Sequence, residues 1–387
     1  MLDMKAAVIF DVHLWNHKRF GGPLIRGINR RGVLTLQTLR AAIKSANIER
    51  AQLIVAGDLV DEAGPIQPQF AAAIRTELLQ ANNGVFLVLG NHDLNSVDDD
   101  SLRVYEHSTI RVVDEITRIG DCDLVPFCAD FTDPRVDAPV VVAHFGVFDD
   151  QFPGFMKKSA DAWHVARLFA FMRERGIRCA ALGDWHSRYV WSLPDSVLST
   201  ALPSGEQHRS VGRPKADQGG WGRVCGPTDL QQSDIFSYRL SCGDSLIMQG
   251  GSLNPTGFDN KGLHGYGTLA IVDTGDQSLS WRELPGPRFA TVHDSEEQAA
   301  LITEAGQLGH SLFLRRYFEG ARPEKPASVE GFEALPIALQ QKAKMVLGID
   351  SISATGRFES LVSEWLESIR ATHGDAAPHE RLLRKYL

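Results

Sequence analysis

The sequence predicts an α/β protein in which two sheets pack against each other and are flanked by helices, followed by a mainly helical C-terminal appendage. Three observations predict it. Short apolar runs alternate with helix-like segments through the first half of the chain, most of those runs stop at a Gly-rich turn, and strand-like runs return beyond a long irregular stretch.

Taken in order, the runs at 6–10, 53–56, 85–89, 140–142 and 179–182 read as buried strands, because each is apolar throughout and ends at a turn signal. Between them, 33–46, 70–80 and 163–175 carry apolar residues at helical spacing, and Gly176 is placed to stop the last of these. Strand-helix alternation implies a mainly parallel sheet covered on both faces. After His186 the texture changes. From about 193 to 234 the chain is rich in Pro, Gly, Ser, Gln and charge, as in a functional loop or a disordered insertion. The segments 237–249, 267–272 and 278–284 then read as strands of a second sheet packed on the first, with a Gly-rich loop at 250–258. The tail reads as helical over 295–318, is interrupted at Pro323 and Pro326, and resumes as amphipathic helices over 335–347 and 356–369. The boundary falls near Phe289, giving a first domain over 1–290 and a C-terminal helical region over 291–387.

The 387 residues allow one large domain with an appendage, or two domains. A net charge of -8 gives no global attraction to nucleic acid or anionic lipid, although a local basic groove and bound cations can still hold phosphates. The 5 cysteines are odd in number and show no metal-type pairing, which fits a reducing cytoplasm. The chain opens almost directly on a strand without a secretory pattern, and no apolar run is long enough to span a bilayer. A cytoplasmic protein without a membrane partner is expected.

Five short motifs stand at the strand ends: Asp11-Val12-His13, Gly57-Asp58-Leu59-Val60-Asp61, Gly90-Asn91-His92-Asp93, His144 before Phe145-Gly146, and Gly183-Asp184-Trp185-His186. Open α/β sheets place their ligands at the carboxyl ends of strands. Asp11, His13, Asp58, Asn91, His144, Asp184 and His186 are too many donors for one zinc ion, and the mixture of oxygen and imidazole suits two cations. Such pairs, roughly 3.5–4 Å apart, typically perform in-line displacement at phosphorus. Asp58 is expected to bridge the ions, with a shared hydroxide as nucleophile. Asp61 reads as an outer-layer residue or a helix cap. His92, next to a ligand, is expected to face the open side, stabilise developing charge and protonate the leaving oxygen. Asp93 is the candidate to orient that imidazole. A lone Gly-Asp or Asp-x-His is commonly a turn, and it is the ordered set of five that carries the reading.

These motifs resemble those of the calcineurin-like metallophosphoesterases: Asp-x-His, Gly-Asp-x-x-Asp, Gly-Asn-His-Asp/Glu, a lone His, and Gly-His-x-His. The likeness covers residues 1–290 and implies the two-sheet metallophosphoesterase sandwich. It implies one metal held by Asp11, His13, Asp58 and His186, and a second held by Asp58, Asn91, His144 and position 184. There this chain has Asp184 where the family usually has histidine. A carboxylate makes the site harder and more anionic, favouring two Mn²⁺ ions, or Mg²⁺, over zinc or iron. Within the superfamily the chain is most similar to the SbcD-type nuclease subunit of bacteria and phages. The run from Asp11 through Leu14, Trp15, Asn16, His17, Lys18 and Arg19 to Phe20 resembles the phage members, and Gly251-Ser252-Leu253-Asn254 resembles that family's Gly-Ser loop. The resemblance implies a Mn²⁺-dependent DNA exo- and endonuclease of DNA repair and recombination, working with an SbcC-like ATPase subunit, and a homodimer is compatible with it.

His17 and Arg19 are candidate substrate contacts beside the first motif, with a solvated surface loop as the plain alternative. The insertion carries Arg209, Arg213, Lys215, Trp221 and Arg223, which suit phosphate contact and base stacking. A solvated loop explains them equally well. His264 lies near the Gly-Ser loop, and Trp163 and Trp185 read as packing residues. A stripe of Phe358, Leu361, Val362, Trp365 and Leu366 would dock the ATPase or cover the protein's own core. Two competing readings are a small-substrate phosphodiesterase or phosphatase with the same two-metal chemistry, and a scaffold that has lost catalysis. The intact His92 argues against the scaffold.

Overall fold

The computed structural model describes residues 4–61, 66–96, 99–152, 162–192, 222–225, 236–239, 245–258, 262–275 and 278–337. The chain divides into two compact units, Met1–Pro255 with His264–Pro287, and Thr256–Leu263 with Arg288–Leu387.

The first unit is a sandwich of two seven-stranded sheets. At the centre of one sheet lie β1 (Lys5–Phe10), β2 (Gln52–Ala56) and β3 (Val85–Val88), all parallel, with Ile110–Val113 beyond β3. In the other sheet Val140–His144 and Cys179–Gly183 are parallel neighbours, flanked by Cys122–Val125 and Leu246–Gln249. Side chains on a strand point alternately to opposite faces, and here both faces are apolar. Ala6, Val8 and Phe10 face the second sheet's Val142, Ala181 and Met248. Ala7 and Ile9 instead face α1 (Arg30–Ile48) and α2 (Pro68–Leu78) through Leu39, Ile43, Phe70 and Ile74. On the far side, Val141, Ala143, Ala180 and Leu182 pack under α3 (Val165–Arg175) through Leu168, Phe169 and Met172. The order is helix, sheet, sheet, helix. Fully burying each of the valine, leucine, isoleucine, methionine or phenylalanine side chains among them is worth about 1.5–3 kcal/mol.

The helices start and stop where local chemistry directs. The Asn29 side chain caps α1 by accepting the Gly32 N–H at 2.8 Å, and α3 ends at Gly176 in the left-handed region, φ 74°. Among the described residues no helix is long and apolar enough to cross a membrane.

Three expectations need correction. The run 237–249 is not one strand: Phe236–Arg239 and Leu246–Gln249 lie in different sheets. The strands Thr268–Asp273 and Ser278–Glu283 do not build the second sheet; they extend the first, Thr268–Asp273 pairing antiparallel with β1. Of the stretch 295–318, the described residues make one helix, α4 (Ser295–Gln307), capped by Asp294, whose side chain accepts the Glu297 N–H at 2.8 Å. Residues Ser311–Phe318 form a strand, between Pro287–Val292 and Gly331–Pro336. Their dense apolar run satisfies either period, and Leu312 and Leu314 are buried in a small core with Val292 and Ala305. Most of the 193–234 insertion and all of 338–387, with the Phe358–Leu366 stripe, lie outside the described residues.

Candidate metal centre

All five motifs leave the carboxyl ends of the strands just named. The backbone turns sharply there, and Asp11, His13, Asp58 and Asp184 take left-handed conformations at φ 44°, 48°, 51° and 92°. Each costs about 1–3 kcal/mol and persists only where the surroundings enforce it. They do. His13 N–H donates to the Asp58 carbonyl at 3.0 Å and Leu14 N–H to the Leu59 carbonyl at 2.9 Å, fastening the first motif to the second. Ser252 Oγ donates to the Asp11 carbonyl at 2.9 Å, and Asn254 Nδ2 to the Val12 carbonyl at 2.8 Å. Glycine is required at 57 and 90: a Cβ on Gly57 would strike the His144 ring, and one on Gly90 the Asp58 carboxylate.

The side chains converge. Asp11, His13 and His186 form one group whose donor atoms lie within 4.8 Å of one another; Asp11, Asp58 and His144 form a second, and His13, Asp58 and His92 a third. Asp11, His13 and Asp58 each belong to two of the three. Asn91 joins through Oδ1, 2.9 Å from His144 Nε2.

Two of these approaches identify what the site is built for. His144 Nδ1 lies 3.0 Å from the Ala56 carbonyl, which requires the N–H there and leaves Nε2 as a lone pair in the neutral ring. That lone pair faces the Asn91 oxygen, another acceptor. His13 Nδ1 is likewise turned to Asp61 Oδ1 at 3.0 Å, and its Nε2 faces His186 Nε2 at the same separation. Ring nitrogens and an amide oxygen meeting this closely share a proton between them or a cation. Asp11 Oδ2 is fully buried with no hydrogen-bond partner. The donor set fits divalent metal ions.

Electrostatics agree. Burial, with Asp58 and Asp184 nearby, pushes Asp11 up to about 7. Burial pulls His13 and His144 down, but the surrounding carboxylates outweigh it and push both up to about 9. Asp58 is held below the usual carboxylate range because His144, His13 and His92 outweigh its burial. Burial and the neighbouring His13 push His186 down to about 3. Without metal, the centre keeps its negative charge tolerable by holding protons on imidazoles.

The remaining candidates divide. His92 is 39% exposed, edge-on to the His13 ring, with Nε2 4.0 Å from Asp58 Oδ2. Asp93 does not orient it. That carboxylate is fully buried and accepts the Gly90 and Val60 amides at 2.9 and 3.3 Å, closing its own turn. His92 Nδ1 instead meets the Asp61 carbonyl. Asp184 lies outside the three groups, its carboxylate against Gly146, while its N–H donates to Asp11 Oδ1 at 2.8 Å. His17 is not a surface residue: it is 9% exposed and turned inward. Arg19 is exposed, outside these groups, with its guanidinium over Phe20. His264 pairs with Glu283, 3.2 Å away.

Sequence reasoning left Asp61 undecided and missed Ser252, Asn254 and Gln249 as supports. Buried Gln249 accepts the Val147 amide at 3.2 Å and donates to the Gly183 carbonyl, tying two motif-bearing strand ends together. Its only signal was a polar residue closing an apolar strand.

Residues 4–176 match the family model described as calcineurin-like phosphoesterase. That stretch carries four of the five motifs. No curated protein matches the chain. Among solved structures, a metallophosphoesterase from Sphaerobacter thermophilus is 12% identical, with a TM-score of 0.34, over 80% of this chain and 95% of that one. A purple acid phosphatase from yellow lupin (Lupinus luteus) seeds is 12% identical, with a TM-score of 0.35, over 64% of this chain; the match spans 54% of the lupin protein.

Proposed function

We propose that this chain is a two-metal phosphodiesterase and, more narrowly, a DNA exo- and endonuclease of the SbcD type, with an SbcC-like ATPase as partner. The observation that carries the hydrolase reading is the convergence of Asp11, His13, Asp58, His144 and His186, with donor atoms grouped within 4.8 Å of one another, around a buried, partnerless Asp11 oxygen. The nuclease reading rests on the sequence run from Asp11 to Phe20 and the Ser252 loop, which clasps the first motif.

Asp11, His13, Asp58 and His186 would hold one divalent ion, and Asp58, Asn91, His144 and Asp184 the other; Mn²⁺ or Mg²⁺ suits this oxygen-rich set. Such ions supply Lewis-acid stabilisation of phosphoryl oxygens and water activated at neutral pH. The chain does the rest. His92 is partly exposed, its Nδ1 meets the Asp61 carbonyl and its Nε2 stands 4.0 Å from Asp58 Oδ2, where it would deliver a proton to a leaving oxygen held at the centre. The Asp58 carboxylate, held at one oxygen by the His92 N–H at 2.9 Å, stands beside that ring. Asp61, with its carboxylate on His13 and its carbonyl on His92, fixes a ligand and the acid together.

The test is incubation of the purified chain with linear double- and single-stranded DNA and with bis-p-nitrophenyl phosphate, with and without Mn²⁺. The expected result is Mn²⁺-dependent cleavage of both. Ester cleavage without DNA degradation, even with the ATPase partner added, would replace the nuclease reading with the small-substrate one.

A further inference from the structure

We infer that His17 is a positioning residue, holding the Asp61 carboxylate in the one orientation that presents His13 to a metal ion. The inference rests on the two-metal reading above.

The two oxygens of Asp61 are divided between two imidazoles: Oδ1 lies 3.0 Å from His13 Nδ1, and Oδ2 3.4 Å from His17 Nδ1. The terminal torsion of an aspartate is soft, so a carboxylate held at one oxygen rotates freely. Held at both, it has one setting. An outer-layer carboxylate fixes the tautomer and ring orientation of the histidine it meets, and the His17 contact therefore passes to His13 Nε2, the atom facing His186.

His17 is itself anchored to a rigid element. Its carbonyl accepts from Asn29 Nδ2 at 2.8 Å, and Asn29 is the residue that caps α1. Asn16 Oδ1 accepts the Asn29 N–H at 2.9 Å, and Asn16 Nδ2 donates to the Gly27 carbonyl at 2.8 Å, closing the loop on both sides. The loop backbone cannot shift without opening the start of the helix.

The type of residue matters as well. Burial, reinforced by the nearby Arg31 guanidinium, holds His17 well below the ordinary imidazole range, at about 4. An imidazole placed 3.4 Å from Asp61 Oδ2 sets that oxygen and leaves the other, 3.0 Å from His13 Nδ1, to His13. A lysine or arginine in its place would orient and neutralise at once. His17 Nε2 has no hydrogen-bond partner, and Nδ1 is the nitrogen 3.4 Å from Asp61 Oδ2.

The test uses the full chain, MnCl₂ titrated by calorimetry, and the variants His17→Leu, which keeps an apolar filling, and His17→Asn, whose amide N–H replaces Nδ1–H. Asn91→Ala, which removes a donor of the other ion, identifies the two steps of the isotherm. His17→Leu is expected to weaken Mn²⁺ binding at the Asp11–His13–His186 ion about 10-fold and leave the other ion unchanged, while His17→Asn stays near wild type at both. Should the leucine variant not fold, His17→Ala supplies the donor-free comparison. Unchanged affinity in the donor-free variant overturns the inference, and so does an equal loss in the donor-free and asparagine variants, which marks a packing role. A wild-type chain that binds no Mn²⁺ sinks the two-metal reading itself, a result distinct from either.

Discussion

His144 points its Nε2 at the side-chain oxygen of Asn91, 2.9 Å away, while its other ring nitrogen is committed to the Ala56 carbonyl. In a neutral ring this sets lone pair against lone pair, and a positive charge between or upon them removes the conflict. A divalent ion and a ring proton are alternative occupants of that space, so metal binding, protonation and folding are linked at this centre.

Removal of metal is the first consequence. An ion that binds only the folded chain stabilises it by about 2.7 kcal/mol at one hundred times its dissociation constant. Saturating MnCl₂ is expected to raise the Tm and EDTA to lower it, read by scanning calorimetry. An identical Tm in both conditions counts against the site.

Protons should leave as metal enters. His13 and His144 are pushed up to about 9 in the metal-free chain, so both carry a proton at neutral pH and must lose it to bind an ion. Affinity for Mn²⁺ is therefore expected to rise between about pH 7 and 9, with proton release visible as a buffer-dependent calorimetric enthalpy. In the metal-free chain the sign is opposite. A histidine raised above its ordinary 6.5 stabilises the fold fully below that pH and loses this contribution as pH climbs through about 9.

Asp58→Asn removes one of the two carboxylates, with Asp11, that belong to two of the side-chain groups. Mn²⁺ binding is expected to fall at both ions, and two ions retained at wild-type affinity would contradict the sharing.

His92→Ala should separate chemistry from binding. The ring is half-exposed and tethered through Nδ1, as suits an acid. Turnover on bis-p-nitrophenyl phosphate is expected to drop about 10²–10⁴-fold with two Mn²⁺ still bound by calorimetry. Loss of an ion in this variant would make His92 a ligand.

Gly57→Ala combines a disfavoured φ of 84° with a methyl driven into the His144 ring. A loss of at least about 1–3 kcal/mol is expected from the backbone alone, measured by urea unfolding, together with weakened Mn²⁺ binding.

The motif strands were readable because their signal is local: β1 is apolar on both faces, and a Gly-rich or acidic turn marks where it ends. What escaped the sequence depends on distance or on direction. Ser252 meets Asp11 across 241 positions, and no periodicity announces that pairing. Asp93 stands beside His92 in the chain, yet its carboxylate turns back to the Gly90 amide because a buried turn must satisfy its own donors. His17 and Lys18 look alike as polar loop residues, and only tertiary structure turns one inward and leaves the other in solvent. The Ser311–Phe318 strand was misread because a short, dense apolar run suits either period.

The clasp from Ser252 and Asn254 onto Asp11 and Val12 also sets an order of events in synthesis. A nascent chain that has reached Arg175 already carries four motifs, but the loop that bends the first one into place has not yet been made. The first motif gains this clasp only when the chain has been extended past Asn254, so its full set of supports arrives together with most of the first unit.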